Sequence, residues 1–175
     1  MTKIFCDIAD IKLIKKFSKK KLVKGFTTNP TLMRKAGAND YLSYCKKIIK
    51  VTNKPISFEV FADTKKEMIN QGIKLSKLGN NIYVKVPIVN SRGVLSSAVI
   101  KDLNSRNIKL NITAIYTISQ VNTILKNINK KTNVIISVFI GRMADAGSDT
   151  LPIIKKIIQR CKNYKNVKVL WASVR

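Results

Sequence analysis

Hydrophobic residues recur along the chain with two alternating periods. Short apolar runs of four to seven residues, which are typical of buried strands, are each followed by a segment with apolar residues three and four positions apart, as on one face of a helix. Ile11, Ile14 and Phe17 show the helical spacing. The pattern predicts seven strands, at Ile4–Asp7, Gly25–Asn29, Ile56–Phe61, Ile82–Val86, Ile108–Thr113, Val134–Ile140 and Val167–Ser173.

Strands and helices that alternate without a linker predict one α/β domain over residues 1–175, built on a parallel sheet. No Gly-x-Gly-x-x-Gly follows the first strand, so a (β/α)8 TIM-type barrel is preferred over a dinucleotide-binding fold. Because the pattern contains only seven strands, the predicted barrel lacks its eighth βα unit. A fragment is the favoured explanation, ahead of a strand supplied by another chain and of a decayed enzyme.

Side-chain parity predicts which strand residues face the barrel interior. Alternate residues of a strand face opposite sides, and the side against the helices must be apolar. This places Lys85 of the fourth strand inside, whereas in the seventh it places Leu170 outside and Trp171 inside. The same division sends polar side chains inward near the carboxyl end of every strand: Asp7, Thr27, Asn29, Ser57, Glu59, Lys85, Asn111, Thr113, Ser137, Ser173 and Arg175. Since barrel enzymes place their sites at that end, this layer predicts a functional pocket.

Lys85 is the most informative member of the inward layer. Its neighbours Val84 and Val86 predict a buried strand, where an unpaired ammonium is so costly that it tends to lose its proton. A neutral, desolvated amine is a nucleophile that can form a Schiff base with a carbonyl. A lysine on an edge strand is the structural alternative. The polar residues that converge from the other strands favour the functional interpretation.

The net charge of +25 invites a nucleic-acid function, but the arrangement of the lysines argues against it. They are spread over most of the predicted helices and are not interleaved with aromatic residues in one stripe. A composition biased toward Lys, Ile and Asn is a simpler cause of the charge. We therefore predict no dedicated nucleic-acid partner, although salt-sensitive binding to polyanions is expected regardless.

The chain has no histidine and only three widely spaced cysteines, which argues against a zinc, copper or haem site, and no cofactor is predicted. An odd number of separated cysteines indicates reduced thiols and a cytoplasmic location. No apolar run reaches membrane-spanning length, and the first residues are typical of a strand and not of a signal peptide.

The inward residues suit a class I aldol reaction. Lys85 would attack a ketose carbonyl, and the resulting iminium would act as an electron sink while the adjacent carbon–carbon bond breaks. The carboxylates of Asp7 and Glu59 could divide the proton transfers. The amides of Asn29 and Asn111 could hold sugar hydroxyls.

A family resemblance rests on short segments that lie in order along nearly the whole chain. The most specific are Thr27-Thr28-Asn29-Pro30-Thr31-Leu32 and Val84-Lys85-Val86-Pro87. Through these and five further segments the chain resembles the transaldolase family in its small-subunit form. The further segments are Phe5-Cys6-Asp7, Ser57-Phe58-Glu59-Val60, Leu110-Asn111-Ile112-Thr113, Ser137-Val138-Phe139-Ile140-Gly141-Arg142 and Ala172-Ser173-Val174-Arg175.

The resemblance implies a role for each matched residue. Lys85 would be the Schiff-base lysine, Asp7 the acid/base at the cleaving bond, and Glu59 and Thr113 would hold the catalytic water. Other positions would bind substrate: Asn29, Asn111 and Ser137 the dihydroxyacetone unit, Arg142, Ser173 and Arg175 the phosphate, with Thr27 and Phe139 beside them.

The resemblance also implies sugar phosphates as substrates and a place in the pentose phosphate pathway. The implied reaction converts sedoheptulose 7-phosphate and glyceraldehyde 3-phosphate into erythrose 4-phosphate and fructose 6-phosphate. Small transaldolases assemble through a C-terminal helix, so a homo-oligomer is expected if the chain is complete at that end.

Two alternatives stay open. The sister branch of the family, fructose-6-phosphate aldolase, typically carries Gln where this chain has Glu59 and Tyr where it has Phe139, and it lacks the amide found at Asn111. All three positions favour transaldolase. The alternative from another class is an inactive basic barrel that binds polyanions.

Overall fold

The computed structural model describes residues 2–174. Seven strands form one parallel sheet that curls into a partial barrel, and the strand order along the sheet equals the order along the chain. The strands are β1 (Ile4–Asp7), β2 (Val23–Thr27), β3 (Ile56–Glu59), β4 (Ile82–Pro87), β5 (Leu110–Ile115), β6 (Val134–Val138) and β7 (Val167–Trp171). The α/β barrel architecture with seven strands is therefore confirmed.

Eight helices connect these strands within residues 2–174. They are α1 (Ile11–Ser18), α2 (Pro30–Lys35), α3 (Tyr41–Ile49), α4 (Lys65–Ser76), α5 (Ser97–Ser105), α6 (Ile118–Lys126), α7 (Ile140–Asp145) and α8 (Thr150–Cys161). Short polar residues begin most of them, because a side-chain oxygen can accept a hydrogen bond from the unpaired N–H groups of the first turn. Such caps are formed by Asp10, Asn29, Asp40, Thr64, Thr117 and Asp149.

The main hydrophobic core lies between the outer side of the sheet and the helices. Fully buried strand residues such as Phe26, Phe58, Val84 and Ile112 pack there, as parity predicts. On the interior side, the ring of Phe5 lies over Gly25, and a side chain at position 25 would collide with it. The outer face thus provides packing, and the inner face is left for polar side chains.

Most strand ends differ from the prediction by one or two residues. At β2 and β6 the reason is that a helix begins earlier than expected. β2 ends at Thr27, since Asn29 caps α2 by accepting a hydrogen bond from Leu32 N at 2.9 Å. β6 ends at Val138, since α7 begins at Ile140.

The orientation predicted for the seventh strand was wrong. β7 pairs in register with β6, with Ser137 opposite Leu170 and Val138 opposite Trp171. Paired residues of neighbouring strands share a face, so Leu170 lies on the interior side and Trp171 on the helix side. Lys168 and the half-buried Leu170 share the interior side of the strand. Ser173, which suggested the opposite parity, lies beyond the end of β7 with φ +58°. Strand parity therefore does not direct the Ser173 side chain.

No helix within the described residues is long and apolar enough to cross a membrane. The three cysteines all fall within this part of the chain and are free thiols.

Candidate active site

Lys85 lies in the middle of β4 and points to the barrel interior, with only 7% of its surface exposed. Its Nζ donates to the carbonyl oxygen of Thr28 at 2.9 Å and lies 3.2 Å from Glu59 Oε2. The second contact follows from the register, because Glu59 of β3 is the direct neighbour of Lys85 in the sheet. The amine is thus buried and is held by a charged partner.

Glu59 is the centre of a group of four charges. Burial raises the pKa of this carboxyl above its ordinary value, and the negative charge of Asp7 acts in the same direction. The ammonium of Lys85 and, more weakly, the guanidinium of Arg142 lower that pKa. Asp7 and Glu59 end their strands, Lys85 is the register partner of Glu59, and Arg142 lies on the helix that follows β6, so the four charges lie toward the carboxyl end of the barrel.

Asp7 occupies the more open side of this group. It ends β1 and is exposed, and the hydroxyl of Thr27 donates to its Oδ1 at 2.7 Å. Thr27 is the register partner of Asp7 on β2, so the sheet fixes this contact. Asp7 is therefore an oriented carboxylate that remains accessible to a ligand.

Three buried polar side chains form a hydrogen-bonded row across β3, β5 and β6. Asn111 Nδ2 donates to Ser57 Oγ at 2.9 Å, and Ser137 Oγ donates to Asn111 Oδ1 at 2.7 Å. All three are at most 2% exposed. Near them, the hydroxyl of Thr113 is buried and has no hydrogen-bond partner within residues 2–174. The row orients the Asn111 amide, and within residues 2–174 the Thr113 hydroxyl keeps its hydrogen-bonding capacity unused.

The remaining predicted substrate-binding residues lie at the rim or elsewhere. The guanidinium of Arg142, on α7, stacks 4.6 Å from the ring centroid of Phe139, which packs edge-on against Tyr116 at 5.7 Å. The side-chain oxygen of Asn29 accepts the hydrogen bond that caps α2. Ser173 lies beyond the end of β7 with a positive φ. Arg175 lies outside the described residues.

Two residues that touch this group were not predicted from the sequence. Thr28 supplies the carbonyl oxygen that accepts from Lys85. Tyr41, the first residue of α3, bonds through its hydroxyl to both the N–H and the C=O of Glu59. Tyr41 gave no signal because it stands on a helix, where parity along a strand does not apply.

The described part of the chain contains no group of three or more His, Cys, Asp or Glu side chains placed to hold a metal ion. The charged centre consists of one lysine, two carboxylates and one arginine. This donor set suits a carbonyl substrate and a phosphate group better than a cation, because the lysine and the arginine would repel a cation.

Fold and site together define a partial (β/α) barrel whose polar residues meet at the carboxyl ends of the strands, where enzymes of this fold place their sites. The family model described as Transaldolase/Fructose-6-phosphate aldolase matches residues 4–175, and the chain belongs to this family. It is 34% identical to a probable transaldolase of Bdellovibrio bacteriovorus, over 99% of this chain and 77% of the relative. It is 36% identical to one of Herpetosiphon aurantiacus, over 99% of this chain and 75% of the relative.

Solved structures share the fold at low sequence identity. The crystal structure of CdNal from Clostridium difficile in complex with mannosamine has a TM-score of 0.65 at 10% identity, over 97% of this chain and 63% of that one. The 4-hydroxy-tetrahydrodipicolinate synthase of Methylacidiphilum fumariolicum has a TM-score of 0.57 at 9% identity, over 99% and 69%. At these identities the likeness supports the barrel fold alone.

Proposed function

We propose that this protein is a transaldolase, which transfers a dihydroxyacetone unit from a ketose phosphate to an aldose phosphate through a Schiff base at Lys85. The observation that carries the proposal is the buried Nζ of Lys85, 3.2 Å from Glu59 Oε2 at the carboxyl ends of the strands. Membership of the transaldolase and fructose-6-phosphate aldolase family supports it.

The first steps use Lys85 and Glu59. The amine must lose a proton before it can attack the donor carbonyl, and the carboxylate of Glu59 is within reach of that proton. Burial raises the pKa of Glu59, which makes it a better proton acceptor than an ordinary glutamate. Loss of water from the carbinolamine then gives the iminium. Glu59 would hold this water together with the hydroxyl of Thr113, which has no hydrogen-bond partner among residues 2–174.

The cleavage step uses Asp7. Its carboxylate would remove the proton from the hydroxyl on the carbon that leaves, and the electrons of the broken bond pass to the iminium, which becomes an enamine. Thr27 holds Asp7 in one orientation for this transfer. Addition of the enamine to the aldehyde of the acceptor, followed by hydrolysis at Lys85, reverses these steps.

The polar row and the rim would bind the substrate. Ser57 and Ser137 orient the Asn111 amide, which is proposed to bind hydroxyls of the dihydroxyacetone unit. Arg142 is proposed to bind the phosphate, with its guanidinium held flat on the Phe139 ring. Asn29, Ser173 and Arg175 complete the proposed substrate contacts. Sugar phosphates of the pentose phosphate pathway are the proposed donors and acceptors.

Borohydride trapping tests the proposal. Incubation with fructose 6-phosphate and borohydride is expected to add the reduced dihydroxyacetone unit to the peptide that contains Lys85. Lys85→Met should abolish the adduct and lower turnover by at least about a thousandfold, since the amine that forms the Schiff base is lost. Lys101→Met, on the exposed side of α5, is the matched control and should retain both. An adduct that persists in Lys85→Met would overturn the proposal.

The same assay separates transfer from cleavage. With an aldose phosphate present, a transaldolase forms a new ketose phosphate, and little free dihydroxyacetone accumulates. Steady release of dihydroxyacetone without an acceptor would instead assign the chain to the fructose-6-phosphate aldolase branch. Absence of any adduct, with salt-sensitive binding to a polyanion such as heparin, would favour the inactive barrel.

A further inference from the structure

The hydroxyl of Tyr41 makes two hydrogen bonds to the same residue. It donates to the carbonyl oxygen of Glu59 at 2.9 Å and accepts from the N–H of Glu59 at 2.9 Å. The ring is packed edge-on against Phe61 at 5.0 Å. Asp40 caps α3 by accepting from Ser43 N at 2.8 Å and so fixes the start of the helix that carries Tyr41.

These two bonds replace a missing strand. In a parallel sheet the N–H and C=O of one residue point to the same side, and those of its neighbours point to the other side. Val60 N bonds toward β4, to Lys85 O at 2.9 Å, so the backbone groups of Glu59 point toward β2. The last backbone bond there runs from Thr28 N to Ser57 O at 3.1 Å, and the chain then turns into α2 at Asn29.

A phenol is suited to this position because it offers one donor and one acceptor, as a strand residue does. Burial raises the pKa of Tyr41 above its ordinary value, so the hydroxyl keeps the proton that it donates. Without it, an N–H and a C=O at the end of β3 would be left unpaired, at the residue whose carboxylate faces Lys85.

We infer that Tyr41 is a positioning residue, which fixes the backbone of Glu59 so that its carboxylate stays in contact with the Lys85 amine. The catalytic consequence rests on the proposed function, whereas the effect on Glu59 does not. The charged groups that face Glu59 are Lys85 from β4, Asp7 from β1 and Arg142 from α7. Within residues 2–174, the Tyr41 hydroxyl makes no hydrogen bond to any of these three side chains. It therefore acts on Glu59 through the backbone.

The test compares Tyr41→Phe with Tyr44→Phe. Tyr44 lies one turn along α3, and its hydroxyl proton is shared between two backbone carbonyls, those of Ala9 and Ala36 at 3.2 and 3.0 Å. Each variant removes one buried phenol hydroxyl from the same helix, so a comparable fall in melting temperature is expected. The two variants differ in that only Tyr41→Phe removes hydrogen bonds to the backbone of Glu59.

The first readout does not depend on turnover. The chain has only two glutamates, Glu59 and the exposed Glu67, so carbon-13 labelling of glutamate carboxyls gives two resonances that can be followed during a pH titration. In Tyr41→Phe, Glu59 is expected to titrate at lower pH, because burial is the largest influence on its pKa and a loosened side chain is better hydrated. Tyr44→Phe is expected to leave that titration unchanged.

The second readout is the rate of the borohydride-trapped adduct with fructose 6-phosphate. Tyr41→Phe is expected to slow it about tenfold at saturating substrate, with KM little changed, and Tyr44→Phe to leave it near wild type. If Tyr41→Phe fails to fold, Phe61→Leu replaces it, because this exposed side chain supports the Tyr41 ring and its loss should shift the Glu59 titration in the same direction.

The outcomes are separable. An unchanged Glu59 titration in Tyr41→Phe, or an equal change in both tyrosine variants, would overturn the inference. A wild-type protein that forms no adduct, while Glu59 still titrates lower in Tyr41→Phe alone, would refute the proposed function and leave the positioning of Glu59 supported.

Discussion

Two polar clusters lie at opposite ends of the sheet and differ in what their side chains bind. At the carboxyl end, Asn111 bonds to the side chains of Ser57 and Ser137. At the amino end, Asn129 bonds mostly to backbone: its Oδ1 accepts from Lys131 N and Thr132 N, and its Nδ2 donates to the carbonyl of Asn104 and to the hydroxyl of Thr132. Both clusters are made of asparagine and small hydroxyl residues.

This difference in bonding partners predicts a structural role for the amino-end cluster and a role in ligand binding for the carboxyl-end cluster. An amide bonded to backbone fixes the path of the loops before β6, and its loss leaves main-chain groups unpaired. An amide bonded to hydroxyl side chains is oriented but can exchange partners with a ligand, and it lies beside the charged group of Lys85 and Glu59. Residue type alone does not separate the two clusters, so mutations at each end provide the test.

The largest effect on stability is expected at the amino end. Asn129→Ala removes four hydrogen bonds, three of them to backbone, and should lower the free energy of unfolding by about 3 kcal/mol. Urea unfolding measures this change. The yield of Lys85 adduct from the protein that remains folded should not change.

Asn122→Ala is the matched control, since Asn122 contacts only the exposed side chain of Arg160 in the described hydrogen bonds. We expect a change within about 0.5 kcal/mol. If the two asparagine variants were equally stable, the amino-end cluster would not carry the structural role assigned to it.

A smaller effect on stability, but a larger one on activity, is expected at the carboxyl end. Ser137→Ala removes one buried donor to Asn111 and should cost about 1 kcal/mol. Because the Asn111 amide loses its orientation, KM for fructose 6-phosphate should rise several-fold. Steady-state kinetics and urea unfolding measure the two effects.

Ser105→Ala, at the exposed end of α5, is the control for the same substitution. It should change neither quantity measurably. An unchanged KM in Ser137→Ala would contradict a role of the carboxyl-end cluster in substrate binding.

The smallest effect is a pH dependence of stability at Glu59. Its raised pKa means that the folded state holds the proton to higher pH than the unfolded chain does. The ionised carboxylate therefore destabilises the fold, with no penalty below the ordinary value of 4.5 and an increasing one as pH rises toward the folded pKa. Glu59→Gln has no carboxyl to ionise, so the stability of the wild type relative to the variant should fall as the pH rises above 4.5.

Unfolding curves at several pH values from about 4 upward measure the difference. Glu67→Gln, on the exposed first turn of α4, supplies the baseline for a glutamate-to-glutamine change. A relative stability that rises with pH would show that attraction to Lys85, and not burial, dominates at Glu59.

Much of the site could be predicted from alternation within strands. Lys85, Glu59, Asn111 and Ser137 each lie between apolar residues that pack against helices, so their inward direction follows from period-two geometry. β7 shows where this fails, because Ser173 was counted as an inward strand residue although β7 ends at Trp171, and this reversed the predicted orientation. Only the register with β6 placed Leu170 inside.

The amino-acid sequence by itself determined the parallel α/β order, the outer apolar face and the inward lysine, because these depend on periods that are local to the chain. The tertiary structure decided which polar groups meet. Glu59 reaches Lys85 through sheet register. Tyr41 reaches Glu59 because β2 ends at Thr27 and the chain turns into α2, which leaves room beside Glu59 for the first residue of α3. Such contacts join residues that are distant along the chain, and the local pattern of apolar and polar residues does not show that they are close in space.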